Sequence, residues 1–118
     1  MVYTKNGVTA IINFLNNNAG TPPTDIAVGT DNTTANKDDT ALLAEITRKK
    51  ITSTISDTST ITFSVILNSS EGNGNSLKEA GLLNAATSGD LFSRFTHAAI
   101  TKTNSYELEY AFTIQVAN

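Results

Sequence analysis

Ser105 to Val116 reads SYELEYAFTIQV, and its alternation decides the fold. Tyr106, Leu108, Tyr110, Phe112, Ile114 and Val116 fall on one face of an extended chain; Glu107, Glu109, Thr113 and Gln115 fall on the other. Aromatic and β-branched residues recurring with a period of two mark a half-buried strand.

Working back toward the N-terminus, the same period recurs. In STITFSVILN, 59–68, Ile61, Phe63, Val65 and Leu67 share a face while Thr62 and Ser64 take the other. EITRKKITSTI, 45–55, alternates before it, and the intervening SDTS predicts a hairpin. LKEAGLLN, 77–84, and DLFSRFTHA, 90–98, predict two strands about the loop AATSGD at 85–90. TDIAVGT, 24–30, predicts a short buried strand ending in a glycine turn. Residues 30–39 and 69–76 are loops by composition. Asp39 or Thr40 is placed to cap a helical turn through ALLAE, 41–45.

One segment has a different period. In KNGVTAIINFLNN, 5–17, Val8, Ile11, Ile12 and Leu15 recur at helical spacing, with Phe14 beside them. Gly20, Pro22 and Pro23 stop that helix. The expectation is one domain over 1–118: an amphipathic helix at 5–17, then an all-β, mainly antiparallel sandwich or small open barrel of five or six strands over 24–118.

Composition narrows the function. Charged residues are 16%, well under the roughly 25% of an average domain, and Thr, Asn and Ser fill 42 of 118 positions. That surface fits a secreted or particle-exposed module. The net charge is -3, and the one basic cluster, Arg48-Lys49-Lys50, alternates between the faces of a strand, so no nucleic-acid partner is expected. With no cysteine there is no disulfide and no sulfur-bound metal, and oligomerisation is the expected means of stabilising such a chain outside a cell. The apolar run 8–15 is too short to span a bilayer, so a soluble chain starting at its own Met1 is expected.

Each candidate for chemistry meets a plainer reading. His97 is the single histidine, with Ser93 and Asp90 its nearest partners for a relay, yet no nucleophile elbow is present. Calcium needs only oxygens, and Glu71, Asn73 and Asn75 in one loop, or Asp31, Asn32, Asp38 and Asp39 in another, supply them. Neither loop matches the twelve-residue calcium pattern, since Leu82 stands where a bidentate Glu belongs, and solvated loops are preferred. No cofactor, metal or catalytic residue is expected. Glu79 shares a strand face with Leu77, Gly81 and Leu83, and a carboxylate there must be paired. Arg48 and Arg94 are the only arginines, so a structural ion pair among Glu79, Arg48 and Arg94 is expected, bidentate and between strands. Gly81 would leave room for Phe95 or an arginine stem.

Taken together, DIAVGT, TALLAEITRKKITS, LKEAGLLN and GDLFSRF resemble the β modules of tail-fibre, collar and baseplate-associated proteins of tailed viruses, phage or archaeal. The matching positions are Ile26 to Gly29; Leu42, Glu45 and Arg48; Glu79 to Leu83; and Gly89, Leu91 and Arg94. Leu83 departs from the pattern, which has an aromatic there, and no fibrous region follows before Asn118. The resemblance implies a free-standing, non-enzymatic virion structural protein on the particle surface, at the tail or baseplate or decorating the capsid. Its expected partners are copies of itself and other virion proteins. The helix stripe Val8, Ile11, Ile12, Phe14 and Leu15 is the candidate interface, with packing on its own sandwich as the plainer role. The alternative is a module that binds a host glycan or surface protein through loops 30–39, 69–76 and 85–90.

Overall fold

A computed structural model describes residues 1–17 and 20–116. The elements are β1 (Val2–Tyr3), α1 (Lys5–Asn17), β2 (Asp25–Gly29), β3 (Glu45–Lys50), β4 (Ser53–Ser56), β5 (Thr60–Leu67), β6 (Ser76–Leu83), β7 (Leu91–Thr101) and β8 (Leu108–Gln115). They form two antiparallel sheets, ordered β1-β7-β6-β2-β3 and β4-β5-β8. The fold is all-β and sandwich-like, with one N-terminal helix.

The core lies between the sheets. Ile26, Val28, Ala80, Leu82 and Phe92 from the large sheet meet Phe63, Val65, Leu67, Tyr110 and Phe112 from the small one, all nearly without exposed surface. This is what period-two patterning produces when each sheet turns one face inward. Along β8 the alternation holds only over the paired residues: Tyr106 and Val116 lie outside the strand and are exposed.

Three expectations change. The expected strand 45–55 is split into β3 and β4, on different sheets. The chain turns the sandwich corner at Ile51 and Thr52, where Ile51 N–H donates to Thr24 O and its side chain packs on the core. No helical turn forms over 41–45, because the Leu43 and Ala44 N–H groups donate to the Glu79 carboxylate rather than to carbonyls one turn back. And Leu77 does not share a face with Glu79. The β6–β7 register slips between them, which sends Leu77 into the inter-sheet core while Glu79, Gly81 and Leu83 keep the outer face.

That outer face is not bare. Leu42, from the segment between β2 and β3, closes with Ala27, Leu83 and Leu91 into a second buried cluster. The helix is fastened at the other margin. Buried Thr4 accepts the Gly7 N–H at 3.0 Å as N-cap, donates its hydroxyl to Leu91 O, and its own N–H reaches Phe92 O at 3.1 Å.

Candidate functional site

The sheet register explains how the charged groups meet. Glu45, Gly29, Glu79 and Thr96 form one row across β3, β2, β6 and β7; Arg48, Ala27, Gly81 and Arg94 form the next row on the same face. Arg94 therefore has Glu79 diagonally within reach on the neighbouring strand, and Arg48 has Glu45 along its own strand. Arg94 Nε donates to Glu79 Oε1 at 3.0 Å, and both side chains are fully buried. Arg48 does not reach Glu79. It lies two strands away, roughly 10 Å at normal strand spacing. It clasps Glu45 through two bonds, of 2.7 and 3.0 Å, and donates to Ala85 O and Ser88 O, so it pins the loop after β6. The expected three-residue pairing of Glu79, Arg48 and Arg94 is corrected to two separate pairs.

Glu79 is bonded beyond its arginine. Oε1 also accepts the Leu43 N–H at 3.1 Å, and Oε2 accepts Ala44 N–H at 2.8 Å and Asp31 N–H at 3.2 Å. The bond to Arg94 is single rather than bidentate; the second oxygen is taken by backbone donors. Gly29, opposite Glu79, is what lets the chain come this close. A Cβ there would stand 2.6 Å from Glu79 Oε2 and 2.4 Å from Ala44 O. Gly81 does leave room, but Leu42 and Leu91 fill it, not Phe95 or an arginine stem.

Arg94 completes the clasp from below. Its Nη1 donates to Asp39 Oδ2 at 3.1 Å, its Nη2 lies 3.9 Å from Asp31 Oδ1, and Nη2 has no hydrogen-bond partner. Asp39 accepts Asn36 N–H, and Asp31 accepts Thr33 N–H. The bonds to Thr33, helped by the Arg94 and Lys78 charges, hold the Asp31 carboxyl below its ordinary value. Lys5 ties the helix to the same segment through Asp38 at 2.6 Å. The stretch 30–44 is thus anchored at Asp31, Asp39, Leu43 and Ala44 by two side chains of neighbouring strands. Glu79 organises a loop on a sheet; with four donors on its oxygens it is a strut in chemical terms.

The Gly-rich loop after β5 is built on a different cation. Lys102 is fully buried, and its Nζ donates to Asn68 O at 2.9 Å, Asn73 Oδ1 at 3.0 Å and Thr103 O at 2.9 Å, with the Tyr106 ring 5.6 Å away. Of the side chains considered for calcium, the ammonium takes Asn73 Oδ1, while Asn75 donates to Gly72 O and Asn73 O. Glu71 is engaged by Lys49 at 2.7 Å and by Asn68 N–H at 2.9 Å. Among the described residues no three His, Cys, Asp or Glu side chains are grouped to hold a metal. Nothing in the sequence singled out Lys102, which directly follows β7 and stands six residues before β8.

The remaining candidates do not converge. His97 Nε2 shares a hydrogen bond with Tyr110 Oη at 2.8 Å, and its Nδ1 lies 2.7 Å from Ala98 O. Ser93 Oγ is buried without a partner, and Asp90 bonds Asn84. None of the three relay residues touches another. Burial, with a smaller effect of Tyr106, pushes the Tyr110 phenol up to about 12.

The helix stripe divides. Ile11 packs on the core, Phe14 is half-buried, and Val8, Ile12 and Leu15 are 49%, 57% and 82% exposed. Leu15, Phe14, Pro22, Ile61 and Ile114 border an apolar groove of about 420 Å³. Among the described residues no helix is long and apolar enough to cross a membrane. No family model matches the chain, and no curated protein or solved structure matches it.

Proposed function

We propose that this chain is a non-enzymatic structural protein of a tailed-virus particle, exposed on the particle at the tail or baseplate or as a capsid decoration, and assembling as a symmetric homo-oligomer. The observation that carries the reading is the divided helix. Val8, Ile12 and Leu15 are large apolar side chains left in solvent on one helix, and Tyr3 and Val116, also exposed, border the same hollow as Val8 and Ile12. An unspent apolar stripe of that kind marks a contact surface. The rest of the design supports a rigid block: the buried ion pair and the buried lysine each spend their bonding capacity on holding a loop. Resemblance of the DIAVGT, LKEAGLLN and GDLFSRF segments to tail-associated modules gives the virion its place in the proposal.

The test is to count copies of the protein in purified particles of the virus that encodes it, by quantitative mass spectrometry against the major capsid protein. Hundreds of copies mean a capsid decoration. A few copies, in a multiple of three or six, mean tail or baseplate. Absence from the particle overturns the virion assignment and moves host-surface binding through the loops to first place. The contact surface is probed with Leu15→Asp and Ile12→Asp, because Ile11 is committed to the core.

A further inference from the structure

The two sheets end in four edge strands, three of them short or charged; β1 covers only Ser93 and Arg94 of β7, so β7 is also open beyond it among the described residues. β1 has two residues and β4 four, too short to template a partner. β3 carries Arg48, Lys49 and Lys50, and charges on an edge discourage pairing. β8 is different. It runs for eight residues, LEYAFTIQ, with no proline, glycine or lysine and with Glu109 as its one charge. Among the described residues β5 is its only hydrogen-bonded neighbour.

Which backbone groups face the open side follows from one bond. Val116 N–H donates to Ser59 O at 2.8 Å, so the even-numbered residues of β8 aim their N–H and C=O at β5. Glu109, Ala111, Thr113 and Gln115 therefore aim theirs away from the sheet, and all four are exposed. An exposed edge of this length is a ready template for another strand.

We infer that β8 is a self-pairing edge: two copies join antiparallel, β8 to β8, about a two-fold axis at Phe112, and merge their three-stranded sheets into one of six. The occupant is a second copy because the strand complements itself in this register. Glu109 falls opposite Gln115 of the second copy and Ala111 opposite Thr113, so the lone charge meets a neutral amide instead of its own image. The odd-numbered pairs exchange about eight N–H···O bonds. On the inward face, Val116, 69% exposed, gains Leu108 of the second copy as its cross-strand neighbour. This deepens the homo-oligomer of the preceding section by naming its seam, and it rests on that reading.

The test measures mass in solution, by analytical ultracentrifugation and light scattering, for the full chain and five variants, Leu15→Asp among them. Ala111→Pro deletes an outward N–H without touching the β5 ladder, a substitution that edge strands tolerate. Ala111→Lys keeps the N–H and places a charge in the seam. Since the chain has no cysteine, Ala111→Cys and Thr113→Cys, mixed, give an inter-chain disulfide only if those positions are opposed. The expected result is a dimer that both position-111 substitutions dissociate with unchanged far-ultraviolet circular dichroism, Ala111→Pro weakening it on the order of a hundredfold through its two symmetric copies. The mixed cysteine variants cross-link; each alone does not. If the proline variant loses its β spectrum, the lysine variant and the cross-link decide. A monomeric wild-type chain overturns both the seam and the homo-oligomer. An oligomer indifferent to Ala111→Pro and Ala111→Lys but dissociated by Leu15→Asp overturns the seam alone and leaves the helix as the interface.

Discussion

Arg94, within β7, and Lys102, just past its end, are both fully buried cations that hold a loop against the sandwich, and they are neutralised in opposite ways. Arg94 meets carboxylates: Glu79 at 3.0 Å, Asp39 at 3.1 Å and, more distantly, Asp31. Lys102 hydrogen-bonds only to dipoles, two backbone carbonyls and an amide oxygen, with an aromatic face nearby and the Glu71 carboxylate acting on it at longer range. The difference sets what each loop can lose. In the first, removing Arg94 leaves the buried Glu79 charge with backbone donors but no counter-ion, and removing Glu79 leaves Arg94 to Asp39. In the second, the loss leaves oxygens without a donor but no orphaned ion.

The comparison breaks most visibly at Arg94. Arg94→Met should cost about 3–5 kcal/mol, the usual penalty for stranding one member of a buried pair, and that is a large share of a typical domain's stability. Urea unfolding of the variant measures it. Replacing both members, Glu79→Leu with Arg94→Met, should recover part of the loss, since the fully buried carboxylate goes with its arginine while Asp39, mostly buried, is left without one. The Asp31, Leu43 and Ala44 N–H groups would still have lost their acceptor, so recovery is incomplete and the 30–44 segment is the part that exchanges its amides faster. A cost under 1 kcal/mol for the single variant would show that Glu79 is held by its backbone donors alone.

Lys102→Met comes next, at about 1–3 kcal/mol, the cost of leaving buried oxygens unsatisfied while apolar bulk is kept. The same urea titration checks it. A loss as large as that of Arg94→Met would erase the distinction, and would mean that the dipoles around Lys102 behave as a charge partner does.

How far the sequence foretold these sites depends on distance along the chain. The sandwich was legible because alternation in 59–68 and 105–116 is a local signal, and the helix because four apolar residues recur at its period. That Glu79 needed a partner was legible too, from its apolar neighbours. Which arginine it takes was not. That choice follows from strand order, which places β7 beside β6 and leaves β3 two strands away. The capping role given to Asp39 failed for a related reason. Local rules put a helix turn at 41–45, but a carboxylate 35 residues further along offers the Ala44 N–H a better acceptor. The split of 45–55 was hidden because alternation continues unbroken while the chain changes sheets. Lys102 was invisible because its three acceptors are all neutral, and neutral oxygens are everywhere in this composition.

The smallest effect sharpens the comparison at the surface. Lys49 and Glu71 form a half-exposed pair at 2.7 Å, beside the loop that Lys102 supports. Lys49, with the Asn68 N–H as the next cause, holds the Glu71 carboxyl below its ordinary value of 4.5. A carboxyl whose folded value is depressed contributes stability that is fully present above its unfolded value and is lost as pH falls through the folded one. Lys49→Ala should therefore cost at most about 1 kcal/mol near neutrality, and the gap to wild type should close as pH drops below 4.5. Urea unfolding at a series of pH values reads this directly. Lys49 has a second bond, to Ile66 O at 2.6 Å, and that one does not titrate. A gap that persists in acid would assign the lysine's contribution to the carbonyl, making Lys49 a weaker, exposed version of Lys102; a gap that closes makes it a weaker, exposed version of Arg94.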